Sequence, residues 1–213
     1  MTGHRARPTT GGGVRRWLAV PLLAAALAGC GIRPTQVPTD FGPAPSRVPC
    51  ALSGTDVTAE SGHRGIPVQV FLLCSSQLVT VDRAVRIPDG TAEAARRVLV
   101  AQGLIDQLAA TPSPAETQAG YTSSVTSGIK VGGPRGKDPA DTFRLSVPPQ
   151  NLTPYALAQI VCTFANSEAT AADDGSVVLA GRDETVLHRY ECSTDVRTHP
   201  GDKHPPYAQI AGG

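Results

Sequence analysis

The sequence predicts an α+β domain, a two-layer sandwich in which two helices lie on one face of a mixed β-sheet. Two amphipathic segments with helical spacing, which begin near Thr91 and at Thr153, are the first observation. Apolar segments bounded by turn residues stand before, between and after them, as strands do. The resulting order, β-β-α-β-β-α-β, allows both helices to cover the same sheet.

Length and charge limit the classes of function. A chain of 213 residues with 40% apolar residues suits one domain with flanking segments. Four of the 19 basic residues lie in 1–29, which leaves 15 basic against 18 acidic residues in the remainder. A mildly acidic domain without a basic stripe is a poor ligand for phosphate backbones, so we predict no nucleic-acid partner.

Residues 1–29 are typical of a secretory signal peptide. A basic segment precedes the apolar residues 17–28, which are too few to cross a hydrocarbon core of about 30 Å. The motif Leu27-Ala28-Gly29-Cys30 resembles the bacterial lipobox, and this resemblance implies that Cys30 is acylated and becomes the N-terminus. A plain signal peptide cut at Ala28 or Gly29 is the alternative. A twin-arginine route starting at Arg15-Arg16 also stays open.

The rest of the chain divides into three parts. Residues 30–49 hold five prolines and predict an extended spacer, unless this segment packs along the domain. Residues 50–193 form the globular domain, and residues 194–213, rich in proline and glycine, predict a disordered tail. We therefore expect a domain tethered by lipid on Cys30 to the outer face of the cell membrane.

Four cysteines remain beyond Cys30, and an even number in an exported protein favours two disulfides. Three connectivities are possible, and we expect Cys50–Cys74 and Cys162–Cys192 because each closes a short loop beside a predicted element. A zinc site would need close Cys/His spacing, and a thiol nucleophile would need a positioned base. Neither pattern occurs, so we predict no metal and no cofactor.

The first half of the domain reads as a hairpin and a helix. Residues 66–74 are nearly all apolar and predict a strand buried on both faces, with a partner in 77–81 and 83–87. Thr91 is the expected N-cap of the helix, and Pro112 and Pro114 are expected to end it. Gly103 is expected to destabilise the helix by about 1 kcal/mol relative to alanine. Its predicted core face consists of Ala95, Val98, Leu99, Ile105, Leu108 and Ala109.

The second half repeats the pattern. Strands are expected around 121–131 and at 142–147. Thr153 is the predicted N-cap of the second helix, with Pro154 in its first position and Leu152 packed on Leu157. Strands at 176–180 and 186–190 follow the helix.

Several of these residues resemble the GerMN domain of sporulation and germination proteins. The likeness covers about residues 66–181 and rests on Leu104-Ile105-Asp106-Gln107-Leu108, Pro112-Ser113-Pro114-Ala115-Glu116, Ala119-Gly120-Tyr121-Thr122-Ser123-Ser124 and Gly128, with Leu157-Ala158-Gln159-Ile160-Val161 as the second helix. The resemblance implies a non-catalytic envelope module in lipoproteins of high-GC Gram-positive bacteria. The cysteines and residues 182–192 depart from the family pattern.

Catalytic motifs are not found in the sequence. Residues 133–138 lack the first glycine and the Ser/Thr of a phosphate-binding loop, and neither Gly-x-Ser-x-Gly nor His-Glu-x-x-His occurs. Glu116 is interpreted as part of a structural corner, with a binding role as the alternative. We therefore predict a non-catalytic protein-interaction module with an envelope protein as partner; a small-ligand or peptidoglycan-binding lipoprotein, or a secreted hydrolase, are the alternatives.

Overall fold

The computed structural model of the protein describes residues 50–51 and 65–211. The predicted signal peptide, Cys30 and the proline-rich spacer lie outside these residues. Within the described part, no helix combines the length and the apolar composition that crossing a membrane requires.

The described elements confirm the α+β class. They are β1 (Ile66–Cys74), β2 (Gln77–Val85), α1 (Glu93–Ala109), α2 (Pro114–Ala119), β3 (Val131–Gly132), β4 (Thr142–Leu145), α3 (Pro154–Ala165), β5 (Val177–Gly181), β6 (Val186–Tyr190), α4 (Thr194–Thr198) and β7 (Tyr207–Ala211). The strands form two sheets where one was expected: the hairpin β1-β2, and a five-stranded sheet in the order β3-β4-β5-β6-β7. Only β4 and β5 are parallel, so this sheet is mixed.

The hairpin is one uninterrupted ladder. Ile66 pairs with Val85 and Cys74 with Gln77, and β2 runs through Asp82 without the predicted break. The two turn residues, Ser75 and Ser76, have φ angles of 50° and 64°. Positive φ at both positions gives a turn whose twist matches that of the flanking strands, although asparagine and glycine adopt it more readily than serine.

Helix α1 is rotated relative to its prediction. Its buried residues are Val100, Ala101, Leu104, Ile105 and Leu108, whereas Ala95 is exposed and Leu99 is 39% exposed. The N-cap is Ala92, and the Thr91 hydroxyl donates instead to the Pro88 carbonyl at 2.7 Å. Four consecutive apolar residues, 98–101, leave the phase of the helix open in the sequence, and contact with the hairpin fixes it.

Gly103 is the point of that contact. A Cβ atom built on Gly103 would lie 2.2 Å from a methyl carbon of Val85, so only glycine lets α1 approach β2 this closely. The sequence predicts that alanine would stabilise the helix relative to Gly103, whereas the close contact with Val85 means that alanine would destabilise the fold.

Helix α3 begins as predicted. The Thr153 hydroxyl accepts from the Ala156 amide, Pro154 occupies the first turn, and Leu152 and Leu157 are both buried. The helix contacts β1 on one side and β5 on another, which explains why it is buried on nearly all of its surface.

Two sequence predictions are corrected. Residues 121–130 form no strand; only Thr122 bridges to Leu73, and the short helix α2 precedes it. The predicted disordered tail is ordered over 194–211, where α4 is followed by β7, which pairs with β6. The strand was missed because its five residues, Tyr-Ala-Gln-Ile-Ala, follow two prolines and are weakly apolar.

We expect Gly103→Ala to lower the free energy of unfolding by about 1–2 kcal/mol, because the clash with Val85 outweighs a gain in helix propensity of about 1 kcal/mol. Urea denaturation measures the change. In a Val85→Ala background the same substitution should be neutral or stabilising, because the opposing methyl groups are gone. A destabilisation of equal size in both backgrounds would contradict this account.

Candidate functional site

The cysteines of the described residues are all paired. Cys50 is joined to Cys74 with a Cα–Cα distance of 5.7 Å, and Cys162 to Cys192 with a distance of 4.8 Å. This is the connectivity expected from the sequence. Since each cysteine forms one disulfide, Cys30 has no cysteine left in the chain with which to pair.

Glu116 is a structural residue of the corner between α1 and Tyr121. Its side chain accepts from the Ser113 amide at 2.8 Å while the Ser113 hydroxyl accepts from the Glu116 amide, which is a capping box. Arg83 of β2 donates to the same carboxylate at 2.7 Å. With 3% exposure, the Glu116 carboxylate is engaged by protein donors rather than presented to a ligand.

Two open cavities lie beside Arg83, and we call them together the β2 clefts. The first has a volume of about 520 Å³ and lies between β2 and the C-terminal half of α1; its charged and polar lining includes Asp82, Arg83, Arg86, Asp106, Gln107 and Ser113. The second has a volume of about 630 Å³ and lies between the hairpin and the segment after α3; its polar lining includes Gln69, Asp82, Arg83, Arg96, Asn166 and Glu168.

Hydrogen bonds hold the wall of the second cleft. The side-chain Nε2 of Gln69 donates to the Asp82 carboxylate at 3.1 Å, and the side-chain Nδ2 of Asn166 donates to Oε1 of Gln69 at 3.2 Å. The clefts combine arginines with carboxylates and amides, a lining that can hydrogen-bond polar groups of either charge. No group of His, Cys, Asp and Glu side chains suited to a metal ion occurs among the described residues.

The loop 133–138 is closed by its own aspartate. Arg144 of β4 donates to the two oxygens of Asp138 at 2.7 and 2.9 Å, and it also donates to the carbonyls of Gly181 and Glu184. The Asp138 side chain is fully buried, and its hydrogen bonds from Arg144 hold the pKa of this carboxyl below its usual value. The loop is therefore tied to the β5-β6 turn, and the Arg135 amide donates to Asp138 at 2.8 Å.

The described histidines are scattered. His188 is buried with its ring 4.6 Å from that of Tyr207, His199 faces Asp195 at 3.4 Å on the surface, and His204 hydrogen-bonds the Leu152 carbonyl. His63 lies outside the described residues. Burial raises the pKa of Tyr190, which packs beside His188 in the core.

The carboxylate pairs of the sequence are likewise dispersed. The Asp174 carboxylate accepts from Ser176 and Arg189 beside β5, and these contacts lower its pKa. Glu184 accepts from the Gly181 amide within the β5-β6 turn. Neither pair lines the β2 clefts.

The clefts were not found from the sequence. The sequence predicts an interruption at Asp82, between the strand segments 77–81 and 83–87, and Glu116, the partner of Arg83, is 33 residues away along the chain. The available signal was the charge in β2: Asp82 and Arg83 are adjacent in a strand that carries no other charged residue, and charged groups beside a core need polar partners.

The fold and these sites define a disulfide-bonded α+β domain with open polar clefts beside its hairpin. Comparisons of the chain with models of protein families, with curated proteins and with solved structures give no significant match.

We expect Asp138→Asn to lower the free energy of unfolding at pH 7 by about 2 kcal/mol, because Arg144 loses its charged partner in a largely buried site. The pKa of Asp138 is depressed in the folded state, so its stabilisation is present above the unfolded-state pKa and is lost as pH falls through the folded-state pKa. The variant should therefore lose less stability than the wild type on acidification below about pH 4.

Asp183→Asn is the matched control for this pH series. Its carboxylate is 86% exposed and lies 3.5 Å from Arg135, so we expect a change below about 1 kcal/mol. Thermal unfolding followed by circular dichroism at several pH values measures both variants. Equal effects of the two substitutions would show that burial of the Asp138–Arg144 pair is unimportant.

Proposed function

We propose that this protein is a lipoprotein of the cell envelope, anchored to the outer face of the membrane through acylated Cys30, and that its domain is a non-catalytic protein-interaction module. The observation that carries the proposal is the pairing of cysteines. Four of the five cysteines pair with one another. The remaining one directly follows the signal-like segment, at the position that lipid modification requires.

Export is supported by the same disulfides. Structural disulfides persist in oxidising compartments and are rare in the cytosol of ordinary bacteria. The Cys162–Cys192 bond links the buried helix α3 to the segment after β6, so it is part of the core rather than a surface feature. The resemblance to GerMN domains agrees with a place in the envelope.

The interaction role is supported by the β2 clefts. They are open, their walls are held by hydrogen bonds, and they expose Arg86 and Arg96 beside carboxylates. The Glu116 carboxylate beside them is buried in an ion pair with Arg83 and accepts from the Ser113 amide, so protein donors already engage it. The exposed Arg86 and Arg96 can instead meet the polar groups of a partner surface.

A small-ligand or peptidoglycan-binding role is the second candidate. Cavities of about 520 and 630 Å³ fall in the size range of small-ligand sites. Their amide and carboxylate lining suits the amide and hydroxyl groups of a glycan or short peptide.

We expect Cys30→Ala to abolish incorporation of an alkyne-labelled palmitate and to move the protein from the membrane to the soluble fraction, because the acyl chains provide the anchor. Gly29→Ala is the control, since it keeps a small residue before the cysteine and should keep the label. Detergent-phase partitioning with label detection measures both. Membrane retention of the unlabelled Cys30→Ala protein would contradict lipid anchoring.

We expect Arg86→Glu to reduce chemical crosslinking of the native protein to its envelope partner at least tenfold, because reversing a charge in the first cleft opposes a complementary surface. Lys203→Glu makes the same charge change on an exposed residue outside the clefts and should leave crosslinking intact. Quantitative mass spectrometry of crosslinked membranes gives the ratio.

The same variants distinguish the second candidate. Co-sedimentation with purified peptidoglycan that is lost in Arg86→Glu and kept in Lys203→Glu would favour glycan binding over a protein partner. Equal crosslinking by the wild type and both variants would show that the partner does not bind at the clefts.

A further inference from the structure

Side-chain amides and a hydroxyl engage two of the sheet edges of this domain. At the free edge of β1, the Phe71 amide donates to the Thr163 hydroxyl at 3.0 Å, and the Phe71 carbonyl accepts from Gln159 at 2.9 Å. At the free edge of β3, Gln102 accepts from the Val131 amide at 2.9 Å and donates to the Ile129 carbonyl at 3.1 Å. Each glutamine thus replaces the backbone of a neighbouring strand.

Strand β2 is protected in another way, because Asp82 and Arg83 place charges within it, and α1 and α4 lie against it. Strand β7 has neither kind of protection. It pairs with β6 on one side, and among the described residues no backbone hydrogen bond engages its other side. Its five residues carry no charge and no proline, and Tyr207 is 50% exposed.

We propose that the free edge of β7 is a self-association site, at which a second copy of this chain pairs antiparallel through its own β7. A twofold axis at Gln209 sets the register, so Tyr207 lies opposite Ala211 of the second copy and Ala208 opposite Ile210. Each of these cross-strand pairs joins a large residue to a small one, and Gln209 lies opposite Gln209 of the second copy. The two five-stranded sheets become one ten-stranded sheet.

A second copy fits this edge better than a charged partner segment does. Like charges directly opposite each other destabilise an antiparallel pair, and this uncharged strand brings none to the axis. The five-residue ladder offers hydrogen bonds that are satisfied reciprocally under twofold symmetry. Tyr207 is half-exposed at one end of β7, and the exposed Val186 of β6 lies beside Ala211 at the other end, so both ends carry apolar surface.

The association should be weak. Two five-residue strands bury much less than the roughly 1,200 Å² of a stable interface, so we expect a dissociation constant of about 10–500 μM. The proposal does not depend on lipid anchoring, because the edge belongs to the described domain.

The test uses the full chain purified in detergent in a Cys30→Ser background, so that the introduced cysteine is the only unpaired one and the lipid plays no part. In the proposed register the two copies of residue 209 lie about 4.5–5.5 Å apart between Cα atoms, which is within disulfide range. We expect Gln209→Cys to form a disulfide-linked dimer on mild oxidation, with the native disulfides verified by peptide mapping.

Ala208→Cys is the matched control. Residue 208 is also exposed, but its symmetry mate is displaced by two residues along the strand, which places the Cα atoms about 8 Å apart, beyond disulfide range. We therefore expect at least tenfold less crosslinked dimer from this variant. Equal crosslinking from residues 208 and 209 would overturn the proposed pairing.

Sedimentation equilibrium provides a readout that needs no new cysteine. The Cys30→Ser protein should show concentration-dependent dimerisation that Gln209→Lys weakens at least tenfold, because two lysines meet on the axis. Gln77→Lys makes the same change at the exposed first residue of β2 and should leave the dimer unaffected. A monomer at all concentrations up to about 1 mM, above the range expected for a small interface, or a dimer insensitive to Gln209→Lys, would refute the site.

Discussion

The structure depends on the hydrogen bonds between helix α3 and the edge of β1. Gln159 and Thr163, one turn apart on the helix, meet the carbonyl and the amide of Phe71, and Gln159 also accepts from the Ser124 amide at 2.8 Å. The side chains of Gln159 and Thr163 are fully buried and Phe71 is buried, and an unpaired amide or carbonyl in such a place destabilises the fold by about 1–3 kcal/mol. Helix α3, which lies in the hydrophobic core and also contacts β5, therefore connects the hairpin to the five-stranded sheet.

That arrangement explains why the candidate clefts lie beside β2. Since α3 covers β1 and the Gly103 segment of α1 touches Val85, the charged part of β2 is left between α1 and the segment after α3. Glu116 forms a buried ion pair with Arg83, and Asp82 accepts a hydrogen bond from the Gln69 side chain. The clefts are a consequence of core packing on either side of a strand that carries charge.

The sequence predicted the parts of this fold that depend on local chemistry. Thr153 and Pro154 mark the start of α3 because capping and proline geometry act within one turn. The helix α2 could have been found in the same way, since Ser113, Pro114 and Glu116 form the Ser-x-x-Glu capping pattern. The phase of α1, the Arg83–Glu116 pair and the pairing of β7 with β6 could not, because each is decided by contacts between distant segments.

An open edge usually favours uncontrolled association, so its place in the fold matters. In the five-stranded sheet β7 lies at one end and β3 at the other, and Gln102 already occupies the edge of β3. Pairing of β7 with its symmetry mate therefore uses the free edge of both copies, and among the described residues the other edge of this sheet is already engaged by Gln102. Such an isologous contact closes at two subunits, whereas an open β3 would have allowed the sheet to grow without limit. The Gln102 side chain on α1 thus complements the twofold pairing, because it engages the edge at which the sheet could otherwise be extended.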